Sequence, residues 1–171
     1  MTEQRGKKRR SAISEPVDMP RAQYAALCML NRRPFGKREL AKKLADKGYE
    51  EQEINEAADK LSELKLLDDF SYACMLVRHY GSRGYGIYKI KHELAKRLID
   101  ADTIAAAIEA QYDGSDTAAL VKMIEKKLAG TGRERKDVDK AARYCASKGY
   151  TWEQISEAMS LIKTKDEDFG L

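Results

Sequence analysis

The feature that most constrains this chain is that it repeats itself. Lys47-Gly48-Tyr49, followed by Ile54 and Ala57, recurs as Lys148-Gly149-Tyr150, followed by Ile155 and Ala158, each displaced by 101 positions. Halfway along, at a displacement of 50, Ile90, Leu94, Ile104 and Ala107 stand where Leu40, Leu44, Ile54 and Ala57 stand first. A period of this length signals tandem supersecondary units, each burying its own apolar face, and argues against one central core.

From Met19 onward the apolar residues follow a helical period, and no stretch alternates β-branched and polar residues as a half-buried strand would. The expected fold is therefore all-α: an elongated, curved array of three tandem three-helix units resembling helix-turn-helix modules. The units are expected over 19–67, 68–113 and 114–163, after a disordered basic arm at 1–18 and before an acidic flexible C-terminus at 164–171. The expected apolar stripe of the first helix is Tyr24, Leu27, Cys28 and Leu30; the fourth offers Phe70, Ala73, Cys74, Val77 and Tyr80, and the fifth Ile90, Leu94 and Leu98. The ninth offers Trp152, Ile155, Met159 and Ile162. Asp68 and Asp69 supply N-cap oxygens for the fourth helix. Gly48 suits a left-handed helix terminus, whereas Leu98 replaces the glycine expected in the middle unit, so that end should be capped differently or its two helices should meet at another angle. Gly81-Ser82-Arg83-Gly84-Tyr85-Gly86 reads as a hinge between helices.

Several function classes are disfavoured. No run approaches the roughly 20 apolar residues that span a bilayer, and the polar, basic start has no apolar h-region, so a cytoplasmic protein without membrane association is expected. Cys28, Cys74 and Cys145 are too scattered for a disulfide framework or a metal knuckle and read as buried thiols. With only His79 and His92 beside them, neither metal nor cofactor is expected. No nucleophile or acid–base pair stands out, so the chain reads as a non-enzyme. A nuclease using Asp68 and Asp69 is a distant alternative.

The formal net charge is +4, from 32 Lys plus Arg against 28 Asp plus Glu, and its distribution says more than its size. Lys7, Lys8, Arg9 and Arg10 make the first segment either an inert tail or an arm that touches DNA. In the middle of the chain Arg78, Arg83, Tyr85, Tyr88, Lys89, Lys91, Lys96 and Arg97 interleave cations with aromatics. Cations neutralise phosphates and tyrosines stack on bases or pack on a protein partner; the plainer reading is a solvated helix face with core tyrosines. On the fifth helix Lys89, His92 and Lys96 share a face away from Ile90 and Leu94. A secondary basic cluster, Arg32, Arg33, Lys37, Arg38 and Lys42, spans the first inter-helix turn, where Glu39 is spaced to pair with Lys43.

Taken in order, Arg38-Glu39-Leu40, Lys43-Leu44, Lys47-Gly48, Leu67-Asp68-Asp69, Arg83-Gly84-Tyr85-Gly86, Lys89-Ile90 and His92-Glu93-Leu94 resemble the bacterial regulatory RecX family over about Ala22 to Ile108. The third unit is similar only in spacing and in Lys148-Gly149-Tyr150. The resemblance implies an elongated all-helical protein that lies in the groove of the RecA–DNA filament, and a monomer is expected. It would inhibit or modulate RecA in strand exchange and coprotease activity, within recombination, DNA repair and the SOS response. Single-stranded DNA, with double-stranded DNA as a further candidate, is the implied nucleic-acid partner. The alternative is a stand-alone DNA-binding regulator using tandem helix-turn-helix units. Leu98 and the basic arm depart from the family pattern.

Overall fold

The structure, a computed structural model, describes residues 19–112 and 117–168, with side chains through 163; the expected basic arm lies outside the described residues. The described residues form nine helices and no strand: α1 (Arg21–Leu30), α2 (Lys37–Ala45), α3 (Glu51–Glu63), α4 (Asp69–Gly81), α5 (Ile87–Ala95), α6 (Ala101–Gln111), α7 (Thr117–Leu128), α8 (Arg135–Ser147) and α9 (Trp152–Asp168). They pack in triplets: α1 lies on α3, α4 on α6 and α7 on α9, and the middle helix of each triplet touches both of its partners.

Each triplet has its own core. Ala26, Phe35, Leu40, Leu44, Ile54, Ala58, Leu61 and Leu67 form the first. The second is built on Ala73, Val77, Ile90, Leu94, Ile104 and Ala107, and the third on Leu120, Ile124, Ala141, Cys145, Ile155 and Ala158. Three small cores in series explain the repeat: each unit solves the same burial problem with the same positions.

The helix ends repeat as well. The third helix of each unit opens on an equivalent cap. The Glu50 N–H donates to the Glu53 carboxylate at 3.1 Å, Asp100 accepts the Thr103 N–H at 2.9 Å, and Thr151 and Gln154 exchange bonds of 3.0 and 3.2 Å. The turn after each second helix takes a left-handed residue: Gly48 at φ +87°, Leu98 at φ +61° and Gly149 at φ +92°. The different cap expected at Leu98 is thus not found. Leu98 lies beyond α5, 38% exposed, rather than on its apolar stripe, and adopts the glycine conformation at a strain of roughly 1–2 kcal/mol.

Other expected core positions shift outward. Ala22 and Ala26 are the fully buried residues of α1, small enough to bring it close to α3, while Tyr24, Leu27 and Leu30 flank that contact and Cys28 is exposed. Phe70 and Trp152 stand in the first turns of α4 and α9 and are exposed, because burial begins only at Tyr72 and Ile155. Helix α9 runs to Asp168, carrying helical backbone into the acidic stretch expected to be a flexible tail.

The units are joined in series by two different joints. At the first, Asp68 caps its own helix α4, accepting the Ser71 N–H at 3.0 Å, while Asp69 reaches back and accepts the Lys37 N–H at the start of α2 at 2.6 Å. The expectation that both carboxylates cap α4 is corrected: Asp69 caps the neighbouring unit's helix. At the second joint the Gly86 N–H donates to the Lys148 carbonyl at 2.9 Å and the Tyr88 N–H to the Gly149 carbonyl at 3.2 Å. The start of α5 therefore receives the end of α8 in place of an anion. Gly86 and Gly149 approach so closely that a Cβ on either would overlap the other segment's backbone. The expected hinge at Gly81–Gly86 is accordingly a locked seam, with Gly86 buried.

Candidate functional site

The charged side chains are sorted by helix, a pattern that whole-chain charge conceals. Second helices are basic: α2 carries Lys37, Arg38, Lys42 and Lys43 against Glu39, and α5 carries Lys89 and Lys91 against Glu93. Helix α8 carries Arg135, Lys136, Lys140 and Arg143 against Asp137 and Asp139. Third helices are acidic: Glu51, Glu53, Glu56, Asp59 and Glu63 against Lys60 on α3, then Asp102 and Glu109 on α6. On α9, through residue 163, Glu153 and Glu157 face a single Lys163. Acids in the first turns of these helices complement the helix dipole, and they point into solvent.

The middle-unit candidates do not form one uniform face. Arg83, Lys91 and Tyr88 are exposed, Tyr88 at 62%. Arg78 bonds the Gln111 side chain at 2.9 Å. Lys89 and Lys96 do share a face, but each lies 3.4 Å from Glu93. Burial opposes the Glu93 charge, yet its bonds to Lys89 and Lys96 hold the carboxyl below its ordinary range. Tyr85 is half-buried, its ring centroid 5.7 Å from that of Tyr80.

Arg97 turns into the first joint, where its guanidinium donates to the buried Tyr72 hydroxyl at 2.8 Å. Burial works against its charge, but bonds to Tyr80 and Tyr72 raise its pKa on balance. Arg33 arrives at Tyr72 from the other unit. Its fork holds Glu39 at 2.6 and 3.4 Å, its second nitrogen lies 3.4 Å from the Tyr72 hydroxyl, and its plane covers Phe35 at 3.6 Å. Hydrogen bonding to Glu39 raises the Arg33 pKa, and burial raises that of the Tyr72 phenol. Glu39, expected to serve Lys43, is thus committed to Arg33. Lys37 pairs with Asp59 at 3.0 Å, an exposed contact worth about 0–1 kcal/mol, while Arg32, Arg38 and Lys42 remain solvent-facing.

The third unit supplies residues that reading by motif missed. Residues 68–112 hold six Lys plus Arg and six Asp plus Glu, whereas 117–163 hold ten and six. Lys126, Lys127, Lys140, Asp137 and Tyr144 line a cleft of about 550 Å³ between α7 and α8. Charge counted unit by unit is the signal that would have found it.

Among the described residues no group of three His, Cys, Asp or Glu side chains could hold a metal, and burial pushes the Cys145 thiol up, away from reactivity. Hydrogen bonds from the Ser71 N–H and hydroxyl hold Asp68 below its ordinary range, the signature of a cap. No helix among the described residues is long and apolar enough to cross a membrane.

Sequence models of the first and second three-helix domains of RecX match residues 22–61 and 68–108. The regulatory protein RecX of Vibrio parahaemolyticus is 37% identical over 146 residues, covering 84% of this chain and 91% of that protein. The chain belongs to the RecX family. A second RecX, from Stenotrophomonas maltophilia, is 31% identical over 154 residues, 90% of each chain. The crystal structure of RecX from Lactobacillus salivarius superimposes with a TM-score of 0.77 at 25% identity, covering 84% of this chain and 95% of that one. RecX is a family of regulatory proteins, and the second RecX domain opens on Asp68, the residue that caps α4. Both domain matches fall within the first two units, so the joint built on Tyr72 lies between matched RecX domains.

Proposed function

We propose that this chain binds the RecA–DNA filament and inhibits RecA, limiting strand exchange and coprotease activity in recombination, repair and the SOS response. RecX membership carries the reading, and the architecture supports it. Three units coupled in series by backbone and side-chain hydrogen bonds suit a partner that itself repeats, such as neighbouring subunits of a filament. In this reading the protein acts in the cytoplasm as a monomer, without catalysis or cofactor. Arg78, Arg83, Tyr85, Tyr88, Lys89, Lys91 and Lys96 contribute to DNA or filament contact, and Arg97 acts by holding the first joint. Arg32, Arg38 and Lys42 extend the contact to the first unit.

The stand-alone duplex-reading regulator fares worse. In a helix-turn-helix the helix after the turn enters the major groove. Here those helices, α3 and α6, present Glu51, Glu53, Glu56, Asp59, Asp102 and Glu109 to solvent, which phosphates would repel.

The deciding experiment is retention of the chain on RecA assembled with nucleotide on single-stranded DNA, against RecA alone and DNA alone, followed by a strand-exchange assay. Retention that requires the assembled filament, with suppressed exchange, is the expected result. Binding to a defined duplex site without RecA would overturn the proposal in favour of the regulator.

A further inference from the structure

The second joint carries a ladder of cations and rings. The Lys127 ammonium sits 4.0 Å from the centre of the Tyr144 ring, the Lys148 ammonium lies 5.6 Å from that ring, and the same Lys148 lies 4.9 Å from the ring of Tyr85 in the middle unit. Tyr85, Lys148, Tyr144 and Lys127 thus run without a break from the Gly81–Gly86 loop to the α7/α8 cleft. Lys126 and Lys140 line that cleft beside Lys127, with one carboxylate, Asp137, among its walls. None of these three lysines is ion-paired among the described residues, in contrast to Lys89 and Lys96, which share Glu93. The locked seam at Gly86 and Gly149 holds both halves of the ladder in register.

We propose that this ladder and the α7/α8 cleft form a binding track for single-stranded nucleic acid in the third unit and at its joint with the second. Lys126, Lys127 and Lys140 meet the phosphates, and the half-buried rings of Tyr85 and Tyr144, which Lys148 and Lys127 partly cover, present their remaining ring surface to the bases. One feature favours nucleic acid over an acidic polypeptide: the cations alternate with aromatic rings, as in platforms that bind single strands. The track takes nucleic acid as a partner from the reading above but needs no recombinase.

The test is fluorescence anisotropy of a labelled oligothymidylate with the full-length protein, without RecA, over a range of salt. Lys126→Gln/Lys127→Gln/Lys140→Gln is compared with the charge-matched Lys47→Gln/Lys60→Gln/Lys65→Gln, and circular dichroism checks that both keep their helicity. Three lost phosphate contacts should flatten the log–log salt dependence by about 2 and weaken binding roughly tenfold or more at low salt, with the reference variant changing far less. Equal losses in the two variants, or no loss in the first, would overturn the track. So would a wild-type protein that does not bind the oligonucleotide, or one from which polyglutamate of matched charge displaces it as well as unlabelled oligonucleotide does. Failure here leaves the filament retention experiment untouched, and failure there leaves this one standing, so the two proposals fall separately.

Discussion

Gly48 and Gly149 are the same position in two units, and replacing each by alanine separates a local cost from a joint's cost. Both take left-handed backbone, φ +87° and +92°. A Cβ at Gly48 meets nothing within 4 Å, so Gly48→Ala carries only the left-handed strain of about 1–2 kcal/mol. At Gly149 the added Cβ overlaps the backbone of Lys89, and relief requires α5 and the end of α8 to separate. That movement gives up the bonds Gly86 N–H to Lys148 and Tyr88 N–H to Gly149, each worth about 1 kcal/mol net. Gly149→Ala should therefore cost about 3–4 kcal/mol in all. Urea titration followed by far-ultraviolet circular dichroism measures the loss. The fluorescence of the single tryptophan, Trp152 at the start of α9, reports the third unit alone. Gly149→Ala should also pull the fluorescence transition away from the dichroism transition, because the third unit loses its coupling to the second. Equal losses in both variants, with coincident transitions, would refute the claim that the seam couples the units.

Three further outcomes follow from the joints and caps. Leu98→Gly should raise stability by about 0.5–1 kcal/mol, measured as a higher urea midpoint, because relief of left-handed strain outweighs the partial loss of packing and the added backbone entropy. Tyr72→Phe should cost about 1–2 kcal/mol by removing the hydroxyl that Arg97 bonds at 2.8 Å, and a double-mutant cycle with Arg97→Met should show positive coupling, its absence ruling out that bond, made within the second unit, as the support that holds Tyr72 at the joint. Asp68→Ala should cost about 1 kcal/mol at neutral pH. Since folding depresses the Asp68 pKa, that contribution is complete above the unfolded value near 4 and is lost as pH falls through the folded value, so wild type and variant should converge in acid unfolding series.

The helices were legible because their apolar positions are periodic: Leu40, Leu44, Ile90, Leu94, Ile104 and Ile155 sit in the cores where their spacing puts them. The joints were not. One is made by backbone carbonyls of Lys148 and Gly149, which leave no side-chain signature. The other gathers Arg33 and Glu39, Tyr72 and Arg97 from three separate segments, each residue of which reads singly as a surface charge or a core ring. Leu98 misled because residue type was taken to decide conformation, whereas the turn into α6 demands left-handed backbone whatever stands there. In the candidate site, charge density around α5 drew attention to lysines that share a carboxylate. Lys126, Lys127 and Lys140, which have no ion pair among the described residues, were hidden among the acids of neighbouring segments in the whole-chain sum.

The sorting of bases onto second helices and acids onto third helices has an orientational consequence. Within a triplet, rotating the molecule beside a polyanion exchanges attraction at the second helix for repulsion at the third. The sorted charge thus selects an azimuth of approach for each triplet before any atom touches. At high ionic strength, once screening shortens below the width of a helix, that choice of azimuth disappears even where the contacts themselves survive.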